Sequence, residues 1–159
     1  VSSADQNLSE FYRDIPELPH LGVGIAVADW NPDVTHALLD GALRVLKQAQ
    51  VSDEKLVVKH VPGSFELTLA AQRLAQTSKV DVVIALGCVI QGETRHFDFI
   101  CSAVAHGITN VGLKYNKPCI FGVLTPDNQQ QALDRAGGKH GNKGEEAAYT
   151  ALRMYADLK

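Results

Sequence analysis

The sequence contains one tryptophan, one methionine and three cysteines, and it lacks any strong excess of one charge sign. Its 15 Lys+Arg against 18 Asp+Glu leave a formal net charge of -3, which gives no reason to expect nucleic acid or an anionic membrane as partner. Cys88, Cys101 and Cys119 are odd in number, lie in apolar segments and show neither CxxC spacing nor a paired framework, so they read as reduced core residues. His20, His36, His60, His106 and His140 show no metal-ligand spacing among themselves or with the cysteines, and no metal is expected. The longest uncharged apolar stretch, residues 82–90, is far shorter than the roughly 18 to 20 residues that span a bilayer. Residues 1–20 lack a basic start followed by an apolar stretch, which points to a cytoplasmic chain. There is no internal repeat and no low-complexity tract, so a small molecule or another protein is the expected partner.

What is present suits one folded domain. A chain of 159 residues, 45% hydrophobic, buries roughly 70% of the surface its unfolded form exposes and needs no staple. Four apolar runs rich in β-branched residues, 21–28, 56–61, 82–90 and 119–124, read as strands. Between them Val34, Leu38, Gly41, Ala42, Val45, Leu46 and Ala49 recur at helical spacing, as do Leu67, Ala70, Ala71 and Leu74. Strands alternating with helices predict βαβ units and a parallel sheet. Asn31-Pro32-Asp33 and Thr125-Pro126-Asp127 each offer an N-cap side chain, a first-turn proline and an acid, the pattern of a helix start. Further helices are expected over about 94–112, over about 128–136 with Gly137 as the stop, and from about 144 to the end. Residues 1–20, with Pro16 and Pro19, read as an extended arm outside the core domain of 21–159.

Chemistry gathers where the strands end. In an open parallel sheet, ligands bind in the crevice at the carboxyl ends of the strands. Residues 82–98 run as a buried strand, a polar loop through Gly92, Glu93 and Thr94, and a helix start led by Arg95 and His96. There the positive end of the helix favours an anion, and an imidazole can move protons near neutrality. Pro62 forces Val61 extended, and Gly63, Ser64, Phe65 and Glu66 then open the second helix. That stretch reads either as a capped turn with Ser64 as N-cap or as a ligand edge with Phe65 as an aromatic wall. Trp30, just past the first strand, suits either the core or a stacking platform for a flat heterocycle. Residues 135–144, RAGGKHGNKG, are glycine-rich and basic but follow a helix and lack the Walker pattern. What remains there is Arg135, able to grip a phosphate bidentately, with Lys139 and Lys143 close in sequence.

Together, Trp30-Asn31, VPGSFE at 61–66, GCVIQGETRHFD at 87–98, Phe121-Gly122 and residues 135–144 resemble one family in order and spacing across about 21–158: lumazine synthase, the penultimate enzyme of riboflavin biosynthesis. The resemblance implies a flavodoxin-like three-layer α/β/α fold with a four-stranded parallel sheet. It implies a transferase that condenses 5-amino-6-ribitylaminouracil with 3,4-dihydroxy-2-butanone 4-phosphate, releasing phosphate and water, with no cofactor or metal. By position Trp30 and Asn31, Ser64, Phe65 and Glu66, Cys88, Val89 and Ile90, Phe121 and Lys143 resemble the edges that hold the ribitylaminouracil. Glu93, Thr94 and Arg135 resemble the phosphate cradle, His96 the proton-transfer residue, and Glu146 an auxiliary charge. Many members carry phenylalanine where this chain has Trp30, whose larger face would strengthen stacking and help retain a flavin-like ligand. The family's sites lie between neighbouring subunits of a pentamer, some members assemble twelve pentamers into an icosahedral shell, and a riboflavin synthase is a candidate partner. A flavodoxin-like flavin-binding module and a purely structural shell protein are the competing readings; the first leaves Arg135 and His96 unexplained.

Overall fold

Four strands, β1 (Val23–Ala28), β2 (Leu56–Val61), β3 (Val82–Cys88) and β4 (Cys119–Leu124), form one parallel sheet in the order β2-β1-β3-β4 in the computed structural model, which describes residues 6–10 and 14–158. Helices α1 (Pro32–Gln48) and α5 (Lys143–Asp157) pack on one face, and α2 (Leu67–Ala75) and α3 (His96–Tyr115) on the other. The period of two along a strand sorts its side chains between these layers. Val23, Ile25 and Val27 of β1 and Val82, Ile84, Leu86 and Cys88 of β3 join the cluster under α1 and α5. Ala26 and Ala28 with Val83 and Ala85 join the cluster under α2 and α3. One face is therefore built of bulky branched residues and the other largely of small ones.

Small residues let α2 approach closely. A Cβ on Gly24 would lie 3.1 Å from Leu74 Cβ, and one on Gly87 would lie 2.6 Å from Ser64 Oγ and 2.8 Å from Leu67 Cδ1. The other face has its own close approach, where a Cβ on Gly41 of α1 would meet the Asn142 side chain. Buried Asn142 caps α5 by accepting from the N–H groups of Gly144 at 2.8 Å and Glu145 at 3.2 Å, and donates to the Ala37 carbonyl at 3.0 Å.

The expected strands and parallel pairing are present; several boundaries differ. The third strand ends at Cys88 rather than 90, where Val89 instead donates to the Leu124 carbonyl. The third helix runs from His96 to Tyr115, past Gly112, and ends on Asn116 in the left-handed region. Thr125-Pro126-Asp127 does not start a helix: α4 (Gln129–Asp134) is capped by Asn128, whose side chain accepts from Gln131 N–H, while Gln131 Oε1 accepts from Asp127 N–H. Residues after α4 form a short antiparallel hairpin, β5 (Ala136–Gly138) and β6 (Gly141–Asn142), in the glycine-rich stretch between the last two expected helices. Gly137 and Gly141, at φ 109° and 80°, supply the backbone that this turn requires.

The arm expected over 1–20 is only partly visible, since residues 1–5 and 11–13 lie outside the described residues. What is described lies along this same chain. Leu8 N–H donates to the His140 carbonyl at 2.8 Å, Leu18 N–H to that of Ala49 at 2.8 Å, and Ile15 and Leu18 pack against the core under α1 and α5. Among the described residues, no helix is long and apolar enough to cross a membrane.

Candidate functional site

The strand order reverses at β1, since β2 lies to one side and β3 to the other, and that reversal leaves a crevice at the carboxyl ends. It holds a cavity of about 590 Å³, within the range of small-molecule sites, lined by the exits of β1, β2 and β3 and the first turns of α3. Trp30, Asn31, Ser64, Phe65, Glu66, Cys88, Val89, Ile90 and His96 all line it. Trp30 and Phe65 are 71% and 57% exposed, unusual for large aromatics unless something flat covers them.

Local hydrogen bonds fix this edge. Beyond the end of β1, Asp29 N–H donates to the Val61 carbonyl at 2.8 Å and Trp30 N–H to that of Pro62 at 3.0 Å. The backbone pairing thus continues past the strand and holds the indole beside the 61–66 segment. Asn31 corrects the expected cap: it sits in the left-handed region at φ 61°, and its side chain makes no capping bond. Its amide instead donates to the Cys88 carbonyl at 3.1 Å, bridging the β1 exit to the β3 exit. An asparagine tolerates that backbone better than most residues and carries the donor the bridge needs.

Ser64 is likewise no helix cap. It opens a 3-10 turn over Ser64–Glu66, and α2 starts only at Leu67. Its Oγ is buried and is the one side-chain polar atom among the described residues so buried without a hydrogen-bond partner. Such a group costs about 1–3 kcal/mol, an expense that a ligand hydrogen bond would offset. Cys88 is no nucleophile, because burial pushes its thiol pKa up to about 12. Burial also raises Cys101 and takes Cys119 to about 11; all three cysteines are free, but only Cys88 is a fully buried core residue, Cys101 and Cys119 being partly exposed. Thr94 Oγ1 accepts from His96 N–H at 3.4 Å, so the Thr94 hydroxyl helps start α3.

The remaining sequence-predicted residues do not line this cavity. Glu93 and Thr94 are exposed on the loop before α3. Phe121 lies within edge strand β4, partly buried against the core under α2 and α3. Arg135 follows α4, where its guanidinium donates to the Gln131 carbonyl at 3.3 Å and its own carbonyl accepts from Lys143 N–H at 2.8 Å. Lys143 Nζ contacts both Glu146 carboxylate oxygens, at 2.9 and 3.0 Å, in a largely buried pair. Gly63, named only as part of the 63–66 stretch, also lines the cavity, and so does Ile100, which was not singled out. Ile100 stands four residues after His96, so helical spacing places the two on one face.

An open parallel sheet with a ligand-sized, aromatic-walled cavity at its reversal point defines a small-molecule-binding α/β protein of flavodoxin-like architecture. A family model described as 6,7-dimethyl-8-ribityllumazine synthase matches residues 20–159. The chain belongs to that family. It is 60% identical to the protein of that name from Cytophaga hutchinsonii over 156 residues, 98% of each chain. It is 52% identical to the one from Parabacteroides distasonis over 155 residues, 97% of each chain. The synthase from Porphyromonas gingivalis is 50% identical over 155 residues, 97% of this chain and 96% of that relative.

Proposed function

We propose that this chain is a transferase that condenses 5-amino-6-ribitylaminouracil with 3,4-dihydroxy-2-butanone 4-phosphate, releasing phosphate and water to form 6,7-dimethyl-8-ribityllumazine in riboflavin biosynthesis. Family membership supports the reaction, and the cavity with two exposed aromatics, an unpartnered buried hydroxyl and His96 carries the assignment of the site.

In this reading Trp30 stacks on the pyrimidine, Phe65 closes its edge, and Ser64 Oγ and the Val89–Ile90 backbone meet ring and ribityl polar groups. Imine formation, phosphate elimination and ring closure each move protons, and His96 is the imidazole in reach of that cavity. Holding the two substrates together supplies much of the remaining acceleration, with no cofactor or metal required. Glu93, Thr94 and Arg135 cradle the phosphate, and Phe121, Lys143 and Glu146 complete the wall. Since Phe121, Arg135, Lys143 and Glu146 are not on the cavity of their own chain, the reading takes them from a neighbouring copy in a pentamer. Exposed Leu69, Phe99 and Leu113 on α2 and α3 offer apolar surface for such an assembly. A shell of pentamers, an enclosed riboflavin synthase and a cytoplasmic location are extensions of the same reading.

The test is to mix purified protein with both substrates and follow lumazine absorbance and fluorescence above the uncatalysed rate. Acceleration that falls in His96→Ala and Arg135→Ala supports the assignment; none, with riboflavin still bound, favours a flavin-binding module. Size-exclusion chromatography with light scattering tests the assembly, and a stable active monomer overturns the shared site.

A further inference from the structure

At the outer rim of the same sheet edge, three ligating side chains from three elements converge. Asp29 follows β1, His60 lies in β2, and His36 lies in α1. Asp29 Oδ1 accepts from His60 Nδ1 at 2.7 Å and from His36 Nε2 at 3.4 Å, and the two rings meet edge to face with centroids 5.8 Å apart. The three ligand atoms all lie within 4.8 Å of one another. Each side chain is about half exposed, which leaves room for small rotamer changes and an approach path from solvent.

We propose that Asp29, His36 and His60 form a binding site for one divalent transition-metal ion of the zinc class. Two imidazoles and a carboxylate are the donor set of open zinc sites, with water in the fourth position. Bonds of about 2.0–2.2 Å in tetrahedral geometry put ligand atoms about 3.3 Å apart. The Asp29–His36 separation already matches that spacing, the Asp29–His60 pair opens slightly, and the histidines close toward each other. To ligate, His60 carries its proton on Nε2 and His36 on Nδ1, so that the lone pairs facing Asp29 are free. The ion would tie α1 to β2 through the residue preceding Trp30, at the turn that carries the cavity's indole wall.

The site is separable from the proposed chemistry because it can be read without substrate. Untagged, chelator-treated protein is titrated with Zn²⁺ by calorimetry and with Co²⁺ by visible absorption. One ion per chain is expected, with bound Co²⁺ quenching the fluorescence of the only tryptophan, Trp30. His36→Gln, His60→Gln and Asp29→Asn should each weaken binding by at least about tenfold while circular dichroism stays unchanged. His20→Gln and His140→Gln should leave it as it was. Failure to saturate, binding that survives all three substitutions, or bound Co²⁺ that leaves Trp30 emission unmoved overturns the proposal.

Discussion

The carboxyl edge of β1–β3 and the hairpin–α5 corner carry the two halves of the sequence-predicted site, and they are built differently. At the sheet edge the aromatics are exposed, a buried hydroxyl lacks a partner and Asn31 holds a left-handed backbone. At the corner Lys143 and Glu146 satisfy each other, the Asn142 side chain makes three hydrogen bonds, and Arg135 reaches back to its own helix. One region leaves groups for something else to satisfy, while the other is largely self-satisfied and presents a few cations. That difference fits a receptor surface on one copy closed by a finished, rigid wall from another.

The largest expected effect lies on the receptor half. His96→Ala should lower kcat by roughly 10² to 10⁴ without abolishing turnover, in a steady-state assay with both substrates still bound. An unchanged rate would remove His96 from the chemistry. On the opposing half, Arg135→Ala should raise KM for the butanone phosphate about 30- to 100-fold, through loss of charge-assisted hydrogen bonds. The sharper experiment mixes and refolds that variant with His96→Ala. Activity above either parent means the halves come from different chains, and no recovery breaks the comparison. Trp30→Ala should weaken ribitylaminouracil binding about tenfold, measured by calorimetry, because stacking on one base is worth about 1–3 kcal/mol.

Glu146→Gln tests the self-satisfied character of the corner. It leaves Lys143 poorly paired in a largely buried position and should cost about 1–3 kcal/mol in urea unfolding. The smallest effect concerns Asp29, whose carboxyl is held below the usual value, chiefly by its hydrogen bond to His60. A depressed carboxylate contributes stability above its unfolded pKa of about 3.9 and loses it as pH falls through the lower folded value. Thermal melts of Asp29→Asn should therefore lie slightly below those of the native chain at neutral pH and converge with them below about pH 4.

Much of the layered fold was readable because continuous β-branched runs and helical spacing are strong signals of buried strands and amphipathic helices. Boundaries were less so. Asn31 and Thr125 carry cap-like side chains, yet Asn31 is drawn to the Cys88 carbonyl, and Asn128 takes the cap three residues after Thr125. The 136–142 hairpin is glycine-rich and short, so it offers no alternation to detect. For the site, Trp30, Asn31, Ser64, Phe65, Glu66, Cys88, Val89 and Ile90 at the strand exits line one cavity with His96, whereas Glu93 and Thr94 on the next loop do not. Arg135, Lys139 and Lys143 stood out as a basic, phosphate-gripping stretch, but their link to this cavity came only through family resemblance, because no spacing rule tells which wall faces which cavity. The Asp29–His36–His60 cluster escaped for a related reason: it is assembled by parallel pairing across separate elements, and its sequence spacings carry no ligand pattern.

Gly87 gives the molecule a gauge. Because the missing Cβ is the space that Ser64 and Leu67 occupy, the depth at which the 64–66 turn seats against the sheet is calibrated by one hydrogen atom at the floor of β3. A laboratory seeking to re-bore this cavity for a wider or narrower ring would find its adjusting screw there, beneath the aromatic walls rather than in them.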